Sequence, residues 1–232
     1  MKKRSTLIKS VITVILSVFS IVAFAQAPAP FAGPSDAVTA PPATAAAVAQ
    51  VLCNASSITL KGDPDPTGTM KYQWYKVNAN GVKVLVKEGV NKDNAYTETS
   101  TDAGYYTYQL VMVNANNCAT PSDPFNIYVL PPLNAAVDGN NSVCGNNQTT
   151  AELTISGLDS RFTYTYQWYR ETTLLTGETT NKHTVSELTA GATPVKYSVL
   201  ISYVLKPACN QQPAKNITVT AVPTKPTITF GN

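Results

Sequence analysis

Hydrophobic and polar positions alternate along short segments of this chain, and the alternation occurs twice. In the first half Ile58 and Leu60 alternate with Thr59 and Lys61. Lys71-Tyr72-Gln73-Trp74-Tyr75-Lys76-Val77 follows, then Val82, Val84 and Val86. Tyr106, Tyr108, Leu110 and Met112 come next, and residues 125–129 close the set. The second half repeats the order. Leu153 and Ile155 share one face, Phe162, Tyr164, Tyr166 and Trp168 alternate with polar neighbours, and Leu174 and Leu175 take the place of the valines. Residues 184–188, 196–204 and 216–222 supply the remaining strands. A period of two over such lengths predicts half-buried strands, and no segment carries the 3.6-residue period of a substantial helix. Asp63-Pro64-Asp65-Pro66-Thr67-Gly68 and Asn78-Ala79-Asn80-Gly81 are turn signals, the second suited to a hairpin. Regularly spaced short strands with one apolar face each predict two stacked sheets per repeat.

The strands sort into two units, residues 46–131 and 132–223, with Pro131-Pro132 as a short, stiff joint. Residues 26–45 are rich in Ala and Pro and read as a linker, because repeated prolines favour extended chain over a packed core. The end of that stretch is expected to supply either a first edge strand or one helical turn. Residues 224–232 begin like a third unit, with residues 227–230 reading as its first strand.

The ends of the pattern carry an address. Met1-Lys2-Lys3-Arg4 precedes an apolar run over residues 10–25 that finishes in Ala23-Phe24-Ala25. This is the layout of a secretory signal peptide cleaved after Ala25. The full chain has 17 basic and 14 acidic residues. Lys2, Lys3, Arg4 and Lys9 leave with the signal, so 13 basic residues remain against 14 acidic ones. The basic excess is therefore a targeting feature, and no nucleic-acid partner is expected. No stable membrane span is expected after cleavage.

Each unit carries one tryptophan in near-identical words, Tyr72-Gln73-Trp74-Tyr75-Lys76 and Tyr166-Gln167-Trp168-Tyr169-Arg170. Trp74 and Trp168 are expected to fill the two cores. Asp102-Ala103-Gly104-Tyr105-Tyr106 resembles the immunoglobulin signature at the start of its penultimate strand, which makes Tyr106 a corner tyrosine and Tyr197 its counterpart. The cysteine that signature requires two residues later is Tyr108 here. The whole layout is more similar to the immunoglobulin-like and PKD-like repeats of Bacteroidetes surface and secreted proteins. Cysteine, Tyr-x-Trp-Tyr, aromatic strand and cysteine recur in that order. The resemblance implies an all-β fold of tandem immunoglobulin-like β-sandwiches.

Cys53, Cys118, Cys144 and Cys209 are expected to form disulfides. The equal spacing of 65 residues favours Cys53–Cys118 and Cys144–Cys209. Strand direction opposes this pairing, since it places the two cysteines of one unit at opposite ends of a sandwich, about 20 Å apart. A disulfide needs Cα atoms about 4.4–6.8 Å apart.

No catalytic constellation is present. His183 is expected at the surface, and Asp63, Asp65 and Asp102 read as turn residues and not as metal ligands. No cofactor or metal is expected, and the chain does not read as an enzyme. Tyr75 and Tyr169 follow the core tryptophans and should face outward as possible ligand-facing aromatics. The expected role is a non-catalytic extracellular structural or adhesive repeat module, with a carbohydrate-binding accessory module as the alternative. The partner would be an extracellular protein or a glycan, and the location periplasmic, cell-surface or secreted.

Overall fold

The computed structural model describes residues 31, 33–35, 40–90, 93–100, 102–145, 150–185, 190–221, 223–228 and 230. The signal-peptide reading of residues 1–25 lies outside them. In the first unit a 3-10 turn over Ala45–Ala47, at the end of the Ala/Pro-rich stretch, leads into the edge strand β1 (Gln50–Leu52) just beyond it. β2 (Ser57–Lys61), β3 (Lys71–Val77), β4 (Lys83–Val90), β5 (Ala95–Thr99), β6 (Gly104–Val113), β7 (Ala119–Pro121) and β8 (Phe125–Val129) follow. The second unit contains β9 (Ala136–Asp138), β10 (Ser142–Gly145), β11 (Ala151–Ser156), β12 (Tyr164–Arg170) and β13 (Thr173–Leu174). It ends with β14 (Lys182–Val185), β15 (Gly191–Tyr203), β16 (Asn210–Gln211) and β17 (Ala214–Ala221).

Each unit has a large sheet and a small one. The large sheets run β1-β8-β6-β3-β4 and β10-β17-β15-β12-β13, with β7 on β6 and β16 on β15. The small sheets are β2-β5 and β14-β11-β9. β1 lies parallel to β8, and β10 lies parallel to β17 in the same way. Trp74 stands opposite Leu110 and Trp168 opposite Val199, which puts the two tryptophans at matching places. The period-two pattern is realised on β3, where Tyr72, Trp74 and Lys76 are buried and the residues between them are half-buried. At the hairpin, Gly81 takes φ 76°, where a Cβ would be strained, and the Asn78 side chain accepts from the amides of Asn80 and Val82. The chain is all-β, a tandem pair of immunoglobulin-like sandwiches.

Each sandwich has its own core. One joins Ile58, Leu60, Tyr72, Trp74, Tyr106, Tyr108 and Ile127. The other joins Leu153, Trp168, Val185, Tyr197, Val199, Ile201 and Ile217. A third cluster lies between the units and packs Val51, Tyr128 and Leu130 against Phe162, Tyr203 and Cys209. The Pro131-Pro132 joint is therefore part of a packed interface. The strand expected at residues 227–230 is not formed at its described positions. Thr227, Ile228 and Phe230 have no strand pairing, and both large side chains are exposed.

Candidate functional site

The junction is the most distinctive site, and strand direction builds it. β8 runs toward the second unit and β1 runs parallel to it, so Cys53, just after β1, arrives at the junction. β15 pairs with β17 so that Tyr203, at its end, lies at the pole opposite Ala221, and Cys209 follows Tyr203. Cys53 and Cys209 are joined by a disulfide with Cα atoms 5.4 Å apart and 156 residues of sequence separation. This corrects the expected Cys53–Cys118 and Cys144–Cys209 pairing. β6 runs antiparallel to β8, so Cys118 emerges at the far end of the first unit, exposed. Cys144 lies on β10, which runs with β17 toward the far end of the second unit. The matched spacing reflects repetition of the fold, while the bond forms between repeats.

Aromatic side chains line this junction. Tyr105 meets Tyr128 edge-on at 4.8 Å, Tyr128 lies 6.5 Å from Phe162, and Phe162 meets Tyr203 edge-on at 5.2 Å. Such contacts add to the burial of the rings. The Tyr203 hydroxyl donates to the Pro131 carbonyl at 2.9 Å, and burial pushes its phenol well up. The Ala135 amide donates to Gln211 Oε1 at 3.0 Å.

Trp74, Tyr106, Trp168 and Tyr197 are all buried. The Tyr106 hydroxyl donates to the Asp102 carbonyl at 2.9 Å, the backbone bond of a corner tyrosine. Trp74, Tyr96 and Tyr108 form a ring series, with centroids 6.4 and 5.7 Å apart. In the second unit Trp168, His183 and Tyr197 form the matching series, at 5.3 and 5.7 Å, so Tyr197 corresponds by register to Tyr108 and not, as expected, to the corner Tyr106. His183 is thus buried and not on the surface as expected, and its Nδ1 lies 3.0 Å from Glu178. His183 alternates with Lys182 and Thr184 on β14, and that period was the available signal.

Sequence reasoning missed a buried ion pair. Lys76 is 0% exposed and its Nζ lies 2.5 Å from Glu98 Oε1. The rings of Phe31, Tyr106 and Tyr108 surround the ammonium at 5.0, 4.8 and 5.9 Å. Glu98 also accepts from the Tyr96 hydroxyl at 2.6 Å. Burial first, then the Glu98 carboxylate, pushes the Tyr96 and Tyr108 phenols well up. Phe31 and Ser35 belong to the stretch read as a linker, yet the Ser35 hydroxyl accepts from the Thr107 amide at 2.8 Å. That stretch therefore packs on the first sandwich through Phe31 and Ser35.

Three buried polar atoms lack a hydrogen-bond partner among the described residues: Trp74 Nε1, the Tyr108 hydroxyl and Gln109 Oε1. Trp168 Nε1, by contrast, donates to the Thr180 carbonyl at 2.9 Å. Trp74 and Tyr108 also line an open cavity of about 420 Å³ beside β2. Tyr75 and Tyr169 are half-buried in different units. Asp65 caps its own turn by accepting from the Thr67 hydroxyl and from the Thr67 and Met70 amides, which lowers its pKa to about 2.

The chain matches no protein-family profile and no curated protein. Among solved structures it is similar to the fibronectin(III)-like modules of Clostridium thermocellum CbhA. That match has 12% identity over 79% of this chain and 96% of that chain, with a TM-score of 0.42. The amphioxus IgVJ-C2 molecule matches at 13% identity over 72% of this chain and 99% of that chain, with a TM-score of 0.37. SGBP-B of a Bacteroides ovatus mixed-linkage glucan utilization locus, in complex with a mixed-linkage heptasaccharide, matches at 12% identity. It covers 75% of this chain and 43% of that chain, with a TM-score of 0.30. At these values the fold assignment rests on the strand order and register of the chain itself, which are those of two immunoglobulin-like sandwiches in tandem.

Proposed function

We propose that the chain is a non-catalytic structural or adhesive module that works outside the cytoplasm, with its two sandwiches acting as one stiff body. The observation that carries this reading is the Cys53–Cys209 disulfide, which staples one unit to the other beside an apolar, aromatic junction. Disulfides persist in oxidising compartments, which agrees with the export signal read at residues 1–25. A packed junction restrains the hinge that two sandwiches on a proline joint would otherwise have. Removing the crosslink frees a loop of this length in the unfolded chain, a change of up to about 5 kcal/mol.

The test is non-reducing peptide mapping of protein taken from the producing cells, joined to small-angle scattering. The expected result is a linked Cys53–Cys209 peptide and a scattering profile of fixed length. Reduction, or Cys209→Ser, should broaden that profile. Recovery of both residues as thiols, or equal flexibility with and without the bond, would overturn the reading.

A further inference from the structure

Among the described residues the first unit has no disulfide between its own two sheets. In immunoglobulin domains the Asp-x-Gly-x-Tyr word leads, two residues on, to a cysteine that joins the sheets, and Tyr108 stands at that place here. Lys76 lies opposite Tyr108 on the neighbouring strand. Lys76 belongs to β3 of the large sheet, while Glu98 belongs to β5 of the small one. The Lys76–Glu98 pair therefore spans the two sheets beside the position of the cysteine that the signature would supply.

The surroundings of the pair set one member as a nucleophile and the other as an electrophile. Lys76 Nζ lies 2.5 Å from Glu98 Oε1. The carboxyl carbon is one C–O bond beyond that oxygen, so it stands at most about 3.7 Å from Nζ. That is close to the separation from which an amine attacks a carbonyl carbon. The Lys76 side chain is 0% exposed, and the rings of Phe31, Tyr106 and Tyr108 keep water from its nitrogen. Nζ also donates to the Phe31 carbonyl at 3.4 Å, which fixes its direction. On the other side, the Tyr96 hydroxyl donates to Glu98 Oε2 at 2.6 Å. One carboxylate oxygen thus meets the amine and the other meets a hydrogen-bond donor. The Glu98 side chain keeps 15% exposure, which leaves a way out for a small product.

The second unit shows that the architecture does not require this pair. By register Arg170 stands where Lys76 does, and Val185 stands where Glu98 does. A guanidinium and an alkyl side chain cannot condense. The first unit therefore holds, between its sheets, a desolvated charge pair that its copy does without, although taking two charges out of water is costly.

We propose that Lys76 and Glu98 condense to an amide that crosslinks the two sheets of the first sandwich. Nζ passes one proton to Glu98 Oε1, which leaves an amine and a carboxylic acid, the neutral forms that a dry site penalises least. The nitrogen lone pair then bonds to the carboxyl carbon. The negative charge of the tetrahedral centre falls on Oε2, where the Tyr96 hydroxyl is already aimed. A second proton moves from nitrogen to Oε1, the bond from carbon to Oε1 breaks, and one water departs. Nothing is oxidised or reduced. Holding both groups in contact replaces the high concentrations that the same condensation would need in solution. The rings around the ammonium favour its charged form, so the step is slow and freshly folded chain holds the pair as ions. The inference adds an internal bond to the structural module proposed above and rests on that reading only for its use outside the cytoplasm.

The test follows the intact mass of the full chain, reduced and denatured at intervals after folding, together with peptide mapping. The expected result is a slow loss of one water and a branched peptide, stable to reductant, that joins Lys76 to Glu98. Lys76→Arg keeps the charge pair and places in the first unit the side chain that the second already carries, so it should fold and hold its full mass. Tyr96→Phe keeps the ring but removes the donor to Oε2, and it should slow the loss of water at least about tenfold. A folded wild-type chain that keeps its full mass, water lost without a Lys76–Glu98 branch, or the same loss in Lys76→Arg would each overturn the proposal. An unchanged rate in Tyr96→Phe would overturn the role given to Tyr96. The mass is read after the Cys53–Cys209 bond has been reduced and is independent of scattering, so the amide and the stiffness of the junction can fail separately.

Discussion

The first and second units share a frame and differ in how completely they satisfy it. In the second, Trp168 donates to Thr180, β9 closes the small sheet, and the ring series ends on His183 with a half-exposed Glu178. In the first, Trp74 has no acceptor and β2 no second neighbour among the described residues, and the ring series borders a fully buried lysine. Two copies of one plan thus differ in which groups are left wanting a partner. Each unsatisfied buried polar group costs about 1–3 kcal/mol, and the three found among the described residues all lie in the first unit.

The largest break in this comparison should come at the carboxylates beside the two ring series, Glu98 and Glu178. Glu98→Gln leaves Lys76 buried without its counter-charge and should cost about 3–5 kcal/mol. Glu178→Gln, at a carboxylate 44% exposed, should cost no more than about 1 kcal/mol. Urea unfolding with hydrogen exchange resolved by unit would measure both. Equal losses in the two units would remove the contrast. Lys76→Met combined with Glu98→Gln should recover most of the stability lost in the single variant.

A smaller difference is expected at the tryptophans. Trp168→Phe removes a hydrogen bond and strands the Thr180 carbonyl, whereas Trp74→Phe removes a donor that already lacks an acceptor. The first should cost about 1–2 kcal/mol more than the second, as read from paired denaturation curves. The reverse order would mean that Trp74 has a partner in solution.

The smallest effect concerns the turn before each tryptophan strand. Asp65 is held at about 2, first by the Thr67 hydroxyl and then by backbone amides, while Asp159 is lowered chiefly by Arg161. Each folded-state pKa lies below its unfolded value. The stabilisation is therefore present above the ordinary carboxylate range and is lost as pH falls through the folded value, near 2 for Asp65. Added salt should raise the Asp159 midpoint and leave Asp65 almost unmoved, because only the former depends on an ion pair. Carboxylate NMR titration in low and high salt would show it.

Much of this architecture was legible in the residue pattern. Alternation placed the strands around both tryptophans, and the Asp-x-Gly-x-Tyr word placed the Tyr106 corner bond. The disulfide was not legible, because equal spacing records how a domain was copied and not which ends of two copies meet. The strand directions already contained the objection, and it was sound. The junction left a subtler trace where the repeats disagree. By register Tyr128 corresponds to Thr218, and Tyr203 to Asn114. An aromatic set against a polar counterpart marks a face that only one copy must bury. Lys76 gave no warning, since a lysine in an alternating strand ordinarily marks the wet side, and only the place of Glu98 across the sandwich explains its burial.

The order of the cysteines along the chain has a consequence for biogenesis. During synthesis from the N-terminus Cys53 emerges first and Cys209 last, with Cys118 and Cys144 between them. A thiol that oxidised with the next one to appear would trap the wrong link. Folding of the first sandwich carries Cys118 to the pole opposite Cys53, out of reach of a direct bond. The fold thereby parts the first two thiols to appear and leaves Cys53 for a partner in the second unit.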